Sequence, residues 1–225
     1  MSEGIEKLYR TAIEKMAKSD DPDIEFLRRA VSSGEIVAQQ PDPKLIAKAA
    51  RKDPDWGSYA FGELRAFGFV STDITRFAWY RPTEREIWER QAALAGIEAI
   101  AIIRLSSMDC SAVIPEIEDR LEELEENASV GKPLATLLDH QKLMLSIVAA
   151  TGETHVFEEY AKRASVALVY ARSTMIQADD LDGLVGSAQL MFELLCRGYS
   201  RDCAAAAAAM RVHPSEEMVL EGAPA

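Results

Sequence analysis

Cysteine is scarce in this sequence, and long uncharged runs are absent from it. The 225 residues contain three cysteines, Cys110, Cys196 and Cys203, with no CxxC spacing. An odd number of separated thiols predicts free buried cysteines and no disulfide framework. No segment approaches the roughly 18 uncharged apolar residues that a membrane-spanning helix needs. The opening MSEGIEKLYR holds no apolar core of a signal peptide. We therefore expect a cytoplasmic protein without a membrane partner.

The short motifs of common enzyme classes are also missing. The sequence has no glycine-rich phosphate loop, no HExxH, no GxSxG and no cysteine and histidine at the spacing of a nucleophilic site. We therefore expect that the protein is not an enzyme.

Positive charge is outnumbered and unevenly distributed. The chain has 25 Lys and Arg against 37 Asp and Glu, a formal net charge of −12. Residues 1–85 hold 14 residues of each sign, so the whole excess of negative charge lies in residues 86–225. Because an acidic surface repels phosphate, a nucleic-acid partner would contact the N-terminal part of the chain.

Apolar residues recur at helical spacing through the N-terminal part. The pattern predicts helices over Gly4–Lys18, Asp23–Ser33, the segment PKLIAKAARK from Pro43, and Trp56–Phe67, followed by a possible hairpin between Phe69 and Tyr80. Aspartate stands before proline at the start of three of these segments, where it suits a helix N-terminus. Short helices followed by a hairpin are the order of a winged helix-turn-helix.

The remaining residues predict helices with short connections. A long helix spans Glu86–Leu105, and a second carries Ile114, Ile117, Leu121 and Leu124 on one face. Leu134–Met175 predicts a buried helix, a turn at Thr151–Gly152 and one long second helix; Leu184–Arg197 and an alanine-rich helix ending at Val212 follow. We predict a mainly α protein, with a winged helix-turn-helix at residues 1–81 and an antiparallel bundle of six to seven helices at residues 82–225.

Three polar residues stand within these apolar segments. Asp139 and His140 lie on the helix that is otherwise apolar nearly all round, and a buried polar group needs a partner: a side chain, a water, a metal or a ligand. Glu98 interrupts the run AALAGIEAIAII. This carboxylate either lines a ligand cavity, pairs with an arginine such as Arg104 or Arg172, or lies on a polar stripe of its helix.

Several stretches resemble one family of regulators. LRRAVSSGEI, LIAKAARK and GELRAFGFV are similar to the N-terminal domain of GntR-family transcription regulators. IVAATGETHVF and LLCRGYSRDCAAAAAAMRVH resemble the helical ligand-binding domain of its FadR-like branch, the FCD type. The resemblance implies a homodimer that binds a palindromic DNA operator and responds to a small molecule, such as an organic acid, in the bundle. The alternative is a diverged member that senses a ligand or mediates protein association without sequence-specific DNA binding.

The resemblance also implies where DNA would bind. Family members carry arginines at the start of the recognition helix, whereas here Asp53 and Asp55 stand at its beginning, and Ser58 and Tyr59 occupy the place of an Arg–Glu pair. The candidate DNA-binding residues are Lys44, Lys48, Arg51, Lys52, Ser58, Tyr59, Arg65 and Arg76.

A metal site is implied in the same way. FCD-type domains bind a divalent metal through one Asp and three His, which suits zinc, nickel or manganese. Asp139 matches the Asp, but Leu143 stands four residues later where a His is usual; His140 and His213 are the remaining candidates. Glu98, Asp139 and His140 are the candidate ligand-binding residues. The alternative is that Asp139 and His140 are a satisfied polar pair and His213 is an exposed residue at a helix end.

Overall fold

The computed structural model describes residues 3–17, 20–36, 40–73 and 76–211, which are almost entirely helical. Within these ranges the N-terminal part holds α1 (Glu3–Met16), α2 (Pro22–Ser33), α3 (Pro43–Ala50), α4 (Pro54–Ala66), β1 (Val70–Asp73) and β2 (Arg76–Trp79). The bundle consists of α5 (Glu84–Leu105), α6 (Ile114–Ser129), α7 (Pro133–Ala150), α8 (Thr154–Arg163), α9 (Val166–Ser173), α10 (Ala178–Cys196) and α11 (Ser200–Arg211). The predicted mainly α fold class, a winged helix-turn-helix followed by a helical bundle, is confirmed. None of the described helices is long and apolar enough to cross a bilayer.

An aspartate side chain caps the N-terminus of each of the three helices α2, α3 and α4. Asp21, Asp42 and Asp53 each accept hydrogen bonds from backbone N–H groups in the first turn of α2, α3 and α4. A proline follows each aspartate at a position where the helix leaves the N–H without a partner. The second carboxylate oxygen of Asp21 also accepts from Trp56 Nε1 at 2.9 Å, which connects the start of α2 to α4 and lowers the pKa of Asp21.

The wing is a two-stranded hairpin. β1 and β2 are antiparallel, with Val70 opposite Trp79 and Ser71 opposite Ala78. The ring of Phe77 on β2 packs edge-on against Phe61 of α4, with centroids 5.0 Å apart. The hairpin is therefore fixed to the second helix of the helix-turn-helix.

α7 forms the centre of the bundle. Every residue from Leu143 to Ala149 is at most 4% exposed, as the apolar run predicts. α6 packs along α7, and α11 packs along both α5 and α10. α1 contacts α7 and α8, so the first helix of the chain also lies against the bundle. The domain division after residue 81 stays a prediction.

The prediction of one long helix from Phe157 to Met175 was wrong. The chain forms two helices, because Ser165 adopts an extended conformation and its hydroxyl accepts a hydrogen bond from Leu168 N at 3.2 Å. A serine at such a position competes with the helical hydrogen bonds. The backbone N–H of Ala167 instead donates to the carbonyl of Phe67, at 3.2 Å, in the turn after α4. The helix predicted from Leu184 also begins earlier than expected, since α10 starts at Ala178.

Gly57 allows α3 and α4 to cross closely. A Cβ atom added at Gly57 would lie 2.2 Å from the carbonyl oxygen of Pro43 and 2.7 Å from Ala47 Cβ. Backbone cannot move away as a flexible side chain can. The crossing of the helix-turn-helix therefore requires glycine at this position.

We expect Gly57→Ala to destabilise the protein by about 1–3 kcal/mol, because the added methyl group overpacks the crossing of α3 and α4. Gly62 supplies the matched control on the same helix, since a Cβ there meets nothing within 4 Å. Gly62→Ala is expected to stabilise by up to about 1 kcal/mol through helix propensity. Thermal or urea unfolding of both variants measures the difference. Equal stability of the two would contradict the close crossing.

Candidate DNA-binding surface and bundle interior

All eight candidate DNA-binding residues are solvent-exposed in the structure. Lys44 and Lys48 lie four residues apart on α3, and therefore on one face of that helix. Neither forms an ion pair with the residues that the structure describes. Arg51 ends α3 in the left-handed conformation, with φ of 56°, and Arg76 begins β2 in the wing.

The exposed face of α4 carries little positive charge. Asp55, Ser58, Tyr59 and Gly62 are exposed at the spacing of one helix face. Tyr59 is 53% exposed, and the hydroxyl of Ser58 donates to the carbonyl of Pro54 at 3.1 Å. Asp53 occupies the helix N-terminus, which otherwise attracts phosphate. This face offers hydroxyl groups and an aromatic ring to DNA, and one carboxylate.

Two of the candidate cations are engaged elsewhere in the protein. Lys52 Nζ lies 2.7 Å from Asp23 Oδ2 and 5.9 Å from the centre of the Trp56 ring. The guanidinium of Arg65 lies 5.7 Å from the centre of the Phe77 ring on the wing. Substitution of Lys52 would therefore disturb the fold as well as any interaction with DNA.

The bundle interior contains a buried ion pair between Glu98 of α5 and Arg211 of α11. Arg211 Nε lies 3.1 and 3.0 Å from the two carboxylate oxygens of Glu98, and Nη2 also donates to this carboxylate. Glu98 is 0% exposed and Arg211 1%. The ion-pair partner of Glu98 is thus Arg211, and it is neither Arg104, which pairs with Glu153, nor Arg172. Of the three alternatives for Glu98, the structure shows pairing with an arginine, but this arginine is Arg211.

Three further side chains complete this network. Arg211 donates through Nη1 to Gln91 Oε1 at 2.9 Å and through Nη2 to Gln141 Oε1 at 2.9 Å. Gln141 Nε2 donates to the Tyr160 hydroxyl at 2.7 Å, and this hydroxyl donates to Glu98. Burial and the charge of Glu98 raise the pKa of Tyr160 well above its ordinary value, so it stays a hydrogen-bond donor. The network joins α5, α7, α8 and α11.

Beside the network lie two buried groups with unused nitrogens. His140 is 0% exposed, and neither ring nitrogen has a hydrogen-bond partner within the described part of the chain. Arg172 is 4% exposed; Nη2 donates to the carbonyl of Met210 at 2.5 Å, while Nε and Nη1 have no such partner. Burial and Arg211 lower the pKa of Arg172 to about 9. Burial, Arg211 and Arg172 hold the pKa of His140 well below its ordinary value, so the imidazole is neutral at pH 7.

Asp139 and His140 do not form a metal site with the described residues. The carboxylate of Asp139 is already bound by Asn127 Nδ2 at 2.7 Å and Lys142 Nζ at 2.8 Å. Between residues 3 and 211, the described positions contain no group of three or more His, Cys, Asp or Glu that could hold a metal ion. Arg172 and Arg211 near His140 oppose a cation there. His213 lies outside the described residues, so its role stays a prediction.

Sequence reasoning missed Arg211 as a member of this interior, and it named Arg172 only as a candidate partner of Glu98. One signal was available for Arg211, because it is the single charged residue near the end of the alanine-rich segment CAAAAAAMR. The partners of Arg211 lie 51 to 120 residues away along the chain, and no local pattern reveals them. Of the candidate ligand residues, Glu98 belongs to the network and His140 lies beside it, whereas Asp139 bonds to Asn127 and Lys142.

Comparison with solved structures identifies the class of fold. The chain is similar to Lar, which controls expression of the agr system of Listeria monocytogenes, with 13% identity and a TM-score of 0.65 over 86% of this chain and 94% of that one. It is similar to McbR/YncC of E. coli, with 14% identity and a TM-score of 0.60 over 89% and 94%. It is also similar to a GntR transcriptional regulator of Rhodococcus sp. RHA1, with 16% identity and a TM-score of 0.56 over 81% and 88%.

At sequence identities of 13% to 16%, similarity to these structures establishes the fold alone. This chain has the fold of GntR-type regulators, a winged helix-turn-helix followed by a helical bundle, and the resemblance in its sequence is confirmed at that level. No protein-family model matches the chain, and comparison with curated proteins finds no match.

We expect Glu98→Ala to lower the free energy of unfolding by about 3–5 kcal/mol, because it leaves the buried guanidinium of Arg211 without its counter-charge. The double variant Glu98→Leu/Arg211→Met removes both charges and is expected to lose less stability than the single variant. Urea unfolding monitored by circular dichroism measures both. A double variant that is less stable than Glu98→Ala would show that the ion pair is not the dominant interaction.

Proposed function

We propose that this protein is a homodimeric DNA-binding transcription regulator whose helical bundle binds a small-molecule effector. The observation that supports this most is a winged helix-turn-helix whose α3 exposes Lys44 and Lys48, joined to a bundle in which buried nitrogens of His140 and Arg172 have no hydrogen-bond partner among the described residues. Two copies would place their recognition helices about one DNA turn apart on a palindromic operator.

The lysines of α3 and Arg76 of the wing supply the phosphate contacts in this proposal. Lys44 and Lys48 are exposed on α3, and Arg76 is exposed on β2 of the wing. Phosphate contacts set the position of a protein on DNA, whereas base contacts give specificity. Tyr59 and Ser58 on the exposed face of α4 are then the residues that contact the base edges.

An organic acid is the effector that fits the bundle interior best. Arg172 and Arg211 carry two buried positive charges, and Glu98 offsets one of them. A buried charge is costly, and Arg172 forms no ion pair with the described residues, so a carboxylate bound by Arg172 would offset the second charge. His140, whose two ring nitrogens have no hydrogen-bond partner in the described part of the chain, supplies a further hydrogen bond to the same anion. This proposal requires no metal ion.

A second function has an observation in its favour. The exposed face of α4 carries Asp55 in its first turn and has no cation before Arg65 in its last turn. Like charges repel the phosphate backbone, so such a face suits a protein that senses a ligand or mediates protein association without sequence-specific DNA binding. DNA binding at different salt concentrations distinguishes the two functions.

Selection from random-sequence DNA with the purified full-length protein tests the main proposal without a known operator. We expect an enriched motif with two-fold symmetry, because a dimer presents two equivalent recognition helices. Binding that shows no sequence preference and disappears at moderate salt would instead support the second function.

We expect Lys44→Glu and Lys48→Glu each to weaken binding to the selected DNA, and Lys44→Gln to reduce the slope of log K against log salt by about 1 for each phosphate that the lysine neutralises. Lys7→Glu on α1 is the matched control, since it changes an exposed lysine of a helix outside the helix-turn-helix. Fluorescence anisotropy at several salt concentrations measures the affinities. An equal decrease in affinity for Lys7→Glu and Lys44→Glu would contradict the assignment of α3 as a DNA-binding surface.

Substitution of Arg172 tests the effector site separately from DNA binding. Arg172→Gln removes a buried cation, two of whose nitrogens have no partner among the described residues. We therefore expect the unliganded protein to keep its stability or gain some, while small carboxylic acids no longer raise its melting temperature. A thermal-shift series with mono-, di- and tricarboxylates measures both effects. Stabilisation that survives in Arg172→Gln would contradict this site, and metal found by elemental analysis and removed by Asp139→Ala would favour a metal site.

A further inference from the structure

An open cleft lies between the winged helix-turn-helix and the bundle. Its volume is about 580 Å³, and it is bordered by α1, the turn after α4, and the end of α8 with the start of α9. Its floor is apolar and contains Met16, Leu145, Phe157 and Val166, each at most 4% exposed. The volume is within the range of pockets that bind small organic molecules, and such pockets occur preferentially between domains.

The rim of the cleft is positively charged. Lys15 of α1, Arg65 of α4 and Lys162 of α8 line it, with Glu158 as the single carboxylate among the lining residues. Lys162 is paired with Glu159 at 3.0 Å, whereas Lys15 and Arg65 form no ion pair with any described residue. The chain has a net charge of −12, so the excess of positive charge around this apolar floor is opposite in sign to the net charge of the chain. Such a rim attracts an anion.

The cleft borders the contact that fixes the winged helix-turn-helix to α9. The turn after α4 is held there by the hydrogen bond from Ala167 N to the carbonyl of Phe67, at 3.2 Å. Gly68 in this turn has a φ of 87°, and a Cβ added to it would lie 3.2 Å from Ser165 Cβ. A molecule in the cleft would therefore contact both parts of the protein beside this hydrogen bond.

We propose that this cleft binds an amphipathic organic monoanion, with its carboxylate at Lys15 and Arg65 and its apolar body on the floor. This site is distinct from the bundle interior, and its occupant connects α1, α4 and α8. Because Arg65 is also a candidate contact to DNA, an anion bound there competes with the phosphate backbone for that guanidinium. Occupancy of the cleft would thus weaken DNA binding by direct competition.

Matched pairs of small molecules test the binding class on the full-length protein without DNA. The probes are octanoate, 2-naphthoate and indole-3-acetate, each beside its neutral amide, measured by isothermal titration calorimetry. We expect at least one carboxylate to bind with about fivefold or greater preference over its amide, since two partly exposed ion pairs contribute modestly. If no carboxylate in the set binds better than its amide, the proposal is overturned.

Two kinds of variant distinguish the contribution of the charged rim to binding from that of the space above the apolar floor. The double variant Lys15→Gln/Arg65→Gln is expected to abolish the preference for the acid, and Ala161→Phe is expected to block both members of the pair by filling the cleft. Lys7→Gln is the control on α1, and circular dichroism confirms that each variant folds. Unchanged preference in the double variant overturns the proposal.

Failure of this site and failure of the proposed regulator can be told apart. The calorimetry needs no DNA, so it gives an answer even if the selection finds no operator. Arg172→Gln distinguishes the two ligand sites, because binding in the cleft is expected to persist in that variant. A carboxylate that no longer binds Arg172→Gln but still binds the double variant lies in the bundle, which overturns its assignment to the cleft.

Discussion

The bundle depends on one buried ion pair, between Glu98 and Arg211. Removing both ions from water costs several kcal/mol each, and this cost is offset only when the remaining donors and acceptors are also satisfied. Gln91, Gln141 and Tyr160 supply those partners from three helices. The pair therefore stabilises the bundle only when α5, α7, α8 and α11 are all correctly placed. It acts as a constraint on the arrangement of the helices more than as a source of stability. The small side chains of the alanine-rich α11 allow this close approach, since Ala204 and Ala207 are buried on it.

α9 connects this interior to the winged helix-turn-helix. Tyr170 donates to Glu25 of α2 at 2.6 Å, and its ring lies 5.2 Å from that of Phe69. Arg172, two residues later, donates to Met210 of α11. Residues two apart lie on nearly opposite sides of a helix, so these contacts engage different neighbours. α9 thus carries the buried cation Arg172 on one side and contacts α2 with the other. A ligand that shifts α9 can change the position of α2 only to the extent that it binds the two arrangements with different affinity.

Local chemistry made most of the fold predictable and left the site largely hidden. Asp-Pro pairs gave the starts of α2, α3 and α4, because the carboxylate and the proline each satisfy a requirement of a helix N-terminus within about four residues. Ser165 was hidden by the apolar spacing on either side, which continues through the break as if one helix were present. The role of Gly57 depends on the close approach of α3, and that of Arg211 depends on residues up to 120 positions away. Helical periodicity indicates which face of a helix is buried, but it does not indicate which buried charged residues pair with each other.

The charge distribution limits the salt dependence that the proposed DNA binding would have. Lys44, Lys48 and Arg76 are three exposed candidate cations on each chain, and the two chains of a dimer together would give a slope of log K against log salt of about −5. Adding Arg65 from each chain brings the slope to about −7. Arg65 lies at the rim of the cleft beside Lys15, so an anion bound there would remove about 2 from the magnitude of this slope while α3 stays on the phosphate backbone. A ligand in the bundle that alters the spacing of two recognition helices acts on all of these cations together. The salt dependence of DNA binding, measured with and without a ligand, therefore distinguishes competition at Arg65 from a change in the arrangement of the dimer.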